Sequence, residues 1–139
     1  MTDGMVTIGE LRGYRDAVRE LRELRELICE EKLAMRAAGT AGGGIGGGGT
    51  PGDRLGAEIS RHEARVERYT RRAAELEAER IRIEDTIAGL ASPKQRRVLT
   101  LRYIRGLPRR SVAVRLGISE RAVSAITLRA AEYLSGRRA

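Results

Sequence analysis

The chain has 139 residues, 3% aromatic and 33% charged, with neither Trp nor Phe, so any core must be built in thin layers from Leu, Ile, Val and Ala. A single cysteine, Cys29, excludes a disulfide framework or a cysteine-based metal site, and one histidine leaves little for catalysis. The formal net charge of +8 is distributed unevenly: residues 1–88 hold 15 Lys+Arg and 17 Asp+Glu, whereas residues 89–139 hold 12 Lys+Arg and 2 Asp+Glu. Mixed charge over the first part reads as solvated helix faces, and one-signed charge on a small module reads as a surface for a polyanion.

The first predicted element is a helix. Leu11, Tyr14, Val18, Leu21, Ile28 and Met35 recur at alternating steps of three and four, interrupted by Arg25 and Lys32 and widened by Leu24 and Leu27. Cys29 lies on this pattern and is expected to be an inert helix residue. Residues 1–12 lack the charged-then-apolar signature of a signal peptide, and no apolar run approaches a membrane span, so a soluble chain is expected.

Residues 39–52, GTAGGGIGGGGTPG, are expected to be a flexible tether, because glycine loses the most backbone entropy on ordering and brings no side chain to offset it. Such a tether spans about 20 Å, enough to join neighbouring ends of two antiparallel helices. Gly44, Gly46 and Gly49 fit the spacing of a dinucleotide-binding loop, but no strand pattern precedes them and no Lys-Ser/Thr follows, so phosphate binding is not expected.

The second helix carries the longer seam: Leu55, Ile59, His62, Val66, Tyr69, Ala73, Leu76, Arg80, Ile83, Ile87 and Leu90. Every step is three or four residues, the spacing of a left-handed coiled coil, over a helix of about 55 Å. Neither stripe can be hidden alone, so the two helices are expected to form an antiparallel αα-hairpin over 1–90, with dimerisation through the same helices. His62 reads as a half-buried polar seam residue without a second metal ligand, and Arg80 as a residue that fixes register at some cost in stability.

The remaining residues, 91–139, predict three short helices. Ser92, Pro93 and Gln95 form a helix start with the spacing of a capping box, and Gly106 ends that helix where a left-handed residue is wanted. Pro108 opens a second helix with Val112, Ala113 and Leu116 inward. Gly117-Ile118-Ser119 then supplies a turn, an apolar plug and a cap for a last helix over about 120–134, burying Val123, Ile126, Ala130 and Leu134. This spacing is that of a helix-turn-helix, whose last helix enters the major groove of DNA. Arg121, Ser124, Ala125 and Leu128 share the face opposite the buried stripe and are the candidate base-edge residues, beside the capping hydroxyl of Ser119. Arg121 suits guanine, Ser124 can donate or accept, and Ala125 or Leu128 suits a thymine methyl. Arg109, Arg110, Arg115 and Arg129 are the candidate phosphate contacts.

Val98-Leu99-Thr100-Leu101-Arg102-Tyr103-Ile104-Arg105-Gly106 and Leu116-Gly117-Ile118-Ser119, followed by Arg129, Ala130 and Leu134, resemble region 4 of the sigma-70 factors. With the Gly-rich tether, the run Gly52-Asp53-Arg54-Leu55-Gly56 and the helical hairpin, the chain also resembles small phage and prophage transcriptional regulators of the ArpU/RinA type. The resemblance implies a cytoplasmic regulator of late phage genes that binds double-stranded DNA and, as a further partner, RNA polymerase. Two features depart from it. Pro108-Arg109-Arg110 stands where such modules carry a Ser/Thr cap with acidic residues, and no segment corresponds to the one that melts the −10 element, so a self-sufficient sigma factor is not expected.

The sequence thus predicts an all-α protein, a long antiparallel coiled-coil hairpin followed by a three-helix DNA-binding module, with no cofactor, metal or catalytic site. Two alternatives share this architecture: a DNA-packaging protein of the terminase small-subunit kind, and an adaptor that docks on RNA polymerase.

Overall fold

The computed structural model describes residues 6–42 and 51–136, and among these the regular structure is entirely helical. Two long helices, α1 (Ile8–Gly42) and α2 (Pro51–Ala88), are followed by α3 (Pro93–Leu99), a π-helical turn (Thr100–Ile104), α4 (Arg109–Leu116) and α5 (Glu120–Leu134). Helix therefore extends into both ends of the stretch expected to be a tether, because prolonging a formed helix adds a hydrogen bond for each residue fixed. The run holding Gly44, Gly46 and Gly49 lies outside the described residues. No described helix is long and apolar enough to cross a membrane.

The chain packs as two compact units, whose limits fall within the long helices. The unit formed by residues 19–77 is a pair of helical segments. Leu21, Leu24 and Leu76 are buried in it, while Ile28, Val66, Tyr69 and Ala73 are half-buried. The stripe on α1 runs here as expected at Leu21, Leu24 and Ile28, whereas Leu27 is exposed; Arg25, which interrupts the pattern, faces outward, where its Nη2 reaches Glu77 at 3.0 Å. Burying Leu24 in place of Arg25 avoids desolvating a guanidinium.

Charged groups flank the seam of this unit. Arg72 clamps Glu20 through Nε and Nη2 at 2.9 and 3.1 Å. That bidentate bond holds the Glu20 carboxyl below its ordinary pKa and raises that of Arg72. His62 is half-buried, with Nδ1 3.0 Å from Glu31 Oε2, and Arg65 bonds the same carboxylate. The Arg65 bond is the main cause of a lowered Glu31 pKa. His62 thus sits in a polar network centred on the Glu31 carboxylate. Cys29 is exposed on α1.

The other unit joins residues 6–18 to residues 78–136. Its larger core cluster includes Val6, Leu11 and Tyr14 from the start of the chain, Ile83, Ile87 and Leu90 from around the end of α2, and Leu99, Tyr103, Ala130 and Leu134. A second cluster, Val98, Leu101, Val112, Ala113 and Val123, ties α3, α4 and α5 together. The first turn of α1 is a complete capping box: Thr7 Oγ1 accepts from the Glu10 amide at 3.2 Å, and Glu10 Oε1 accepts from the Thr7 amide at 3.3 Å. Just before it, the Val6 amide donates to the Leu134 carbonyl at 2.9 Å, satisfying an acceptor at the end of α5.

Polar groups fix how α1 meets α2 in this unit. The Tyr14 hydroxyl donates to Glu84, whose Oε2 also accepts from Arg80 Nη1 at 2.8 Å. Burial and this carboxylate push the Tyr14 phenol up to about 12. Arg82 bonds Glu10 and holds its carboxyl below the ordinary range. Arg80, expected in the seam as a register residue, is half-buried and carries its charge within this network.

Candidate nucleic-acid interface

Local chemistry sets the three-helix geometry. Ser92 has extended backbone and its hydroxyl accepts from the Gln95 amide at 3.2 Å, with Pro93 at the first helical position. The helix it starts does not continue as α to its end. Thr100–Ile104 widen into a π turn, with the Arg105 amide reaching back to the Thr100 carbonyl at 2.9 Å. Gly106 closes it at φ +73°, and its missing side chain leaves room for Arg15 of α1. Arg15 Nη1 donates to the Ile104 carbonyl at 3.1 Å, so a side chain from the start of the chain caps this helix end.

Pro108 precedes α4 with extended backbone and no side-chain cap, as expected where a Ser or Thr is replaced by proline. Helix α4 ends at Gly117, φ +67°, with the Ile118 amide on the Ala113 carbonyl at 3.0 Å and the Gly117 amide on the Val114 carbonyl at 3.3 Å. This paired closure is a Schellman turn, which reverses the chain within two residues. Ser119 then caps α5, its hydroxyl accepting from the Ala122 amide at 3.0 Å. Ile118 is half-buried against the second cluster, as an apolar plug between the two helices.

Helix α5 buries Val123, Thr127, Ala130, Ala131 and Leu134, with Ile126 half-buried. Thr127 was not expected inside; its hydroxyl is satisfied by donating to the Val123 carbonyl at 2.8 Å and accepting from Arg102 Nη1 at 3.4 Å. The opposite face is open: Arg121, Ala125 and Arg129 are exposed and Leu128 is 62% exposed. Ser124 is half-buried and takes a 2.9 Å bond from Arg109 Nη1, whose Nε lies 3.3 Å from Glu120. The expected base-edge set is therefore brought together on one helix, with Ser124 already engaged by Arg109 from α4.

The remaining candidates are placed differently. Arg110 is exposed at the start of α4, and Ser119 is exposed at the cap of α5. Arg115 lies elsewhere, lining a 670 Å³ cavity with Glu84, Ile87, Arg97 and Leu101. Arg102 was not singled out in the sequence. It lies 5.4 Å over the Tyr103 ring and lines a groove along α5 with Arg109, Ser124 and Leu128. Its position depends on the π turn, which sequence periodicity does not announce.

The turn at Gly117 and the capped helix with an open outer face together have helix-turn-helix geometry. Residues 80–134 match the family model for sigma-70, region 4. They form a sigma-70 region 4-like module. Region 4 is a DNA-binding, non-enzymatic domain, and domains of this family bind DNA and RNA polymerase. No curated protein and no solved structure matches the chain. The match begins at Arg80, within α2, so the region 4-like module takes in the last turns of the long helix as well as the basic tail.

Proposed function

We propose that the chain is a sequence-specific DNA-binding transcriptional regulator of phage or prophage late genes, which reads the major groove with α5 and dimerises through its long helices. The observation that carries this reading is the open face of α5. A region 4-like helix-turn-helix leaves Arg121, Ala125, Leu128 and Arg129 exposed on the helix that such modules insert into DNA. The surrounding charge supports it, with 12 basic and 2 acidic side chains in residues 89–139. In this reading Arg121 reads a guanine edge, and Ala125 or Leu128 packs on a thymine methyl. Ser119 and Ser124 add hydroxyls at the cap and on the flank, while Arg109, Arg110 and Arg129 neutralise phosphates. RNA polymerase is proposed as a second partner, because region 4 domains bind it.

Selection from a random duplex library, followed by affinity measurements on the selected and an unselected duplex, tests the assignment. Arg121→Ala is expected to remove roughly 1–3 kcal/mol of discrimination between the two duplexes. Arg110→Ala is expected to weaken both alike and to lower the log–log salt slope by about 0.9. Equal losses on both duplexes for both variants would overturn the division of roles, and no binding at low salt would overturn DNA recognition itself.

A further inference from the structure

We infer that the DNA-binding surface extends beyond the region 4-like segment, and that Arg12, from the first helix of the chain, contacts the DNA backbone beside α5. The inference rests on the reading of α5 as the groove-entering helix and adds to it a residue outside the segment matched by the family.

A groove of 520 Å³ runs along one flank of α5. Ser124 and Leu128 of α5, with Ser135 just after it, form one side, and Arg102 and Arg109 reach it from the π turn and α4; Thr7, which caps α1, and Arg12, within α1, complete it. Arg12 is exposed and makes no ion pair or hydrogen bond among the described residues, unlike Arg15, which is committed to the Ile104 carbonyl. Arg109 and Arg102 are held by Ser124 and Thr127, so the groove presents three guanidinium groups, two of them oriented by hydroxyls of α5 itself.

The dimensions decide what fits. A helix about 10–12 Å across fills a major groove about 12 Å wide, so the sugar-phosphate strands must run along its flanks. A trough that follows one flank of α5 and is lined by arginines is placed for such a strand. The one carboxylate on its wall, Glu132, opposes an anion there. Arg12 stays in place because its helix is part of the same core: Leu11 and Tyr14, its close neighbours in sequence, are buried with Ala130 and Leu134 of α5. A residue over a hundred positions away in sequence is thereby fixed beside the reading helix.

The test uses the full chain with the selected and the unselected duplex described above. Arg12→Ala is expected to weaken binding to both by roughly three- to tenfold near 0.1 M salt and to lower the salt slope by about 0.9. Arg12→Lys is expected to retain the slope, and Glu132→Gln to tighten binding to both duplexes. Thermal midpoints of all three should match the parent chain, since both positions are exposed. Unchanged affinity and slope for Arg12→Ala, with Arg110→Ala still weakening binding, would overturn this inference alone. Loss of effect in Arg110→Ala and Arg121→Ala as well would instead overturn the underlying reading of α5. A loss on the selected duplex only would make Arg12 a sequence-reading residue and refute backbone contact.

Discussion

Truncating Leu11 to alanine is expected to destabilise the region 4-like module although the residue lies about seventy positions before it. Leu11 is 1% exposed and belongs to the cluster that holds Ile83, Ile87, Leu99, Tyr103, Ala130 and Leu134. Removing a buried leucine side chain loses its transfer energy and leaves a cavity, at a cost of about 2–5 kcal/mol. In a unit of roughly 70 residues, each kcal/mol lowers the thermal midpoint by about 4–8 °C, so a 3 kcal/mol loss corresponds to roughly 12–24 °C. Leu33, on the same helix but 54% exposed, provides the control: its alanine variant is expected to cost less than about 0.5 kcal/mol. Thermal unfolding followed by circular dichroism, in parallel with duplex binding across the same temperatures, measures both effects. DNA binding by the Leu11 variant should fail at the temperature where its own unfolding begins. If the two variants melt together, or the Leu11 variant unfolds early while duplex binding persists to the parent midpoint, the shared core described above is wrong.

Two further perturbations test the local geometry. Gly106 and Gly117 both have positive φ, but a Cβ on Gly106 would lie 2.4 Å from Arg15 Nε, whereas one on Gly117 meets nothing within 4 Å. Gly117→Ala should therefore cost about 1–2 kcal/mol from backbone strain alone, and Gly106→Ala about 1 kcal/mol more as Arg15 leaves the Ile104 carbonyl; equal urea midpoints would contradict this. The Tyr14 phenol, raised to about 12, predicts an alkaline transition. Its contribution is fully present below the unfolded value near 10 and is lost as pH climbs to 12, by on the order of 2 kcal/mol. Tyr14→Phe should flatten that part of the stability profile, and an unchanged profile would place the alkaline loss in another group.

Much of the module was legible because its signals are local. Ser92, Gly106, Gly117 and Ser119 each act on their own backbone within a few residues, and the structure uses all four as caps or turns. The limits of α5 followed from the same cues, since a hydroxyl before an apolar period of three and four leaves few alternatives. The Thr7–Glu10 capping box was equally readable, from a threonine followed three residues later by a glutamate, but was not singled out. The stripe on α1 was legible too, with Leu24 inside and Arg25 outside, but its width was not: Leu27 was read as widening it and is exposed, because only the facing helix decides how far burial reaches round the stripe.

Sequence alone determined the helical class, the basic character of the tail and the helix-turn-helix itself, because periodicity, capping and charge are properties of neighbouring residues. Tertiary structure decided the rest. That Val6, Leu11 and Tyr14 complete the core under α5, and that Arg15 covers Gly106, depends on contacts between residues about 70 to 130 positions apart. Such contacts leave no periodic trace, since an apolar stripe records that a face is buried and not what buries it.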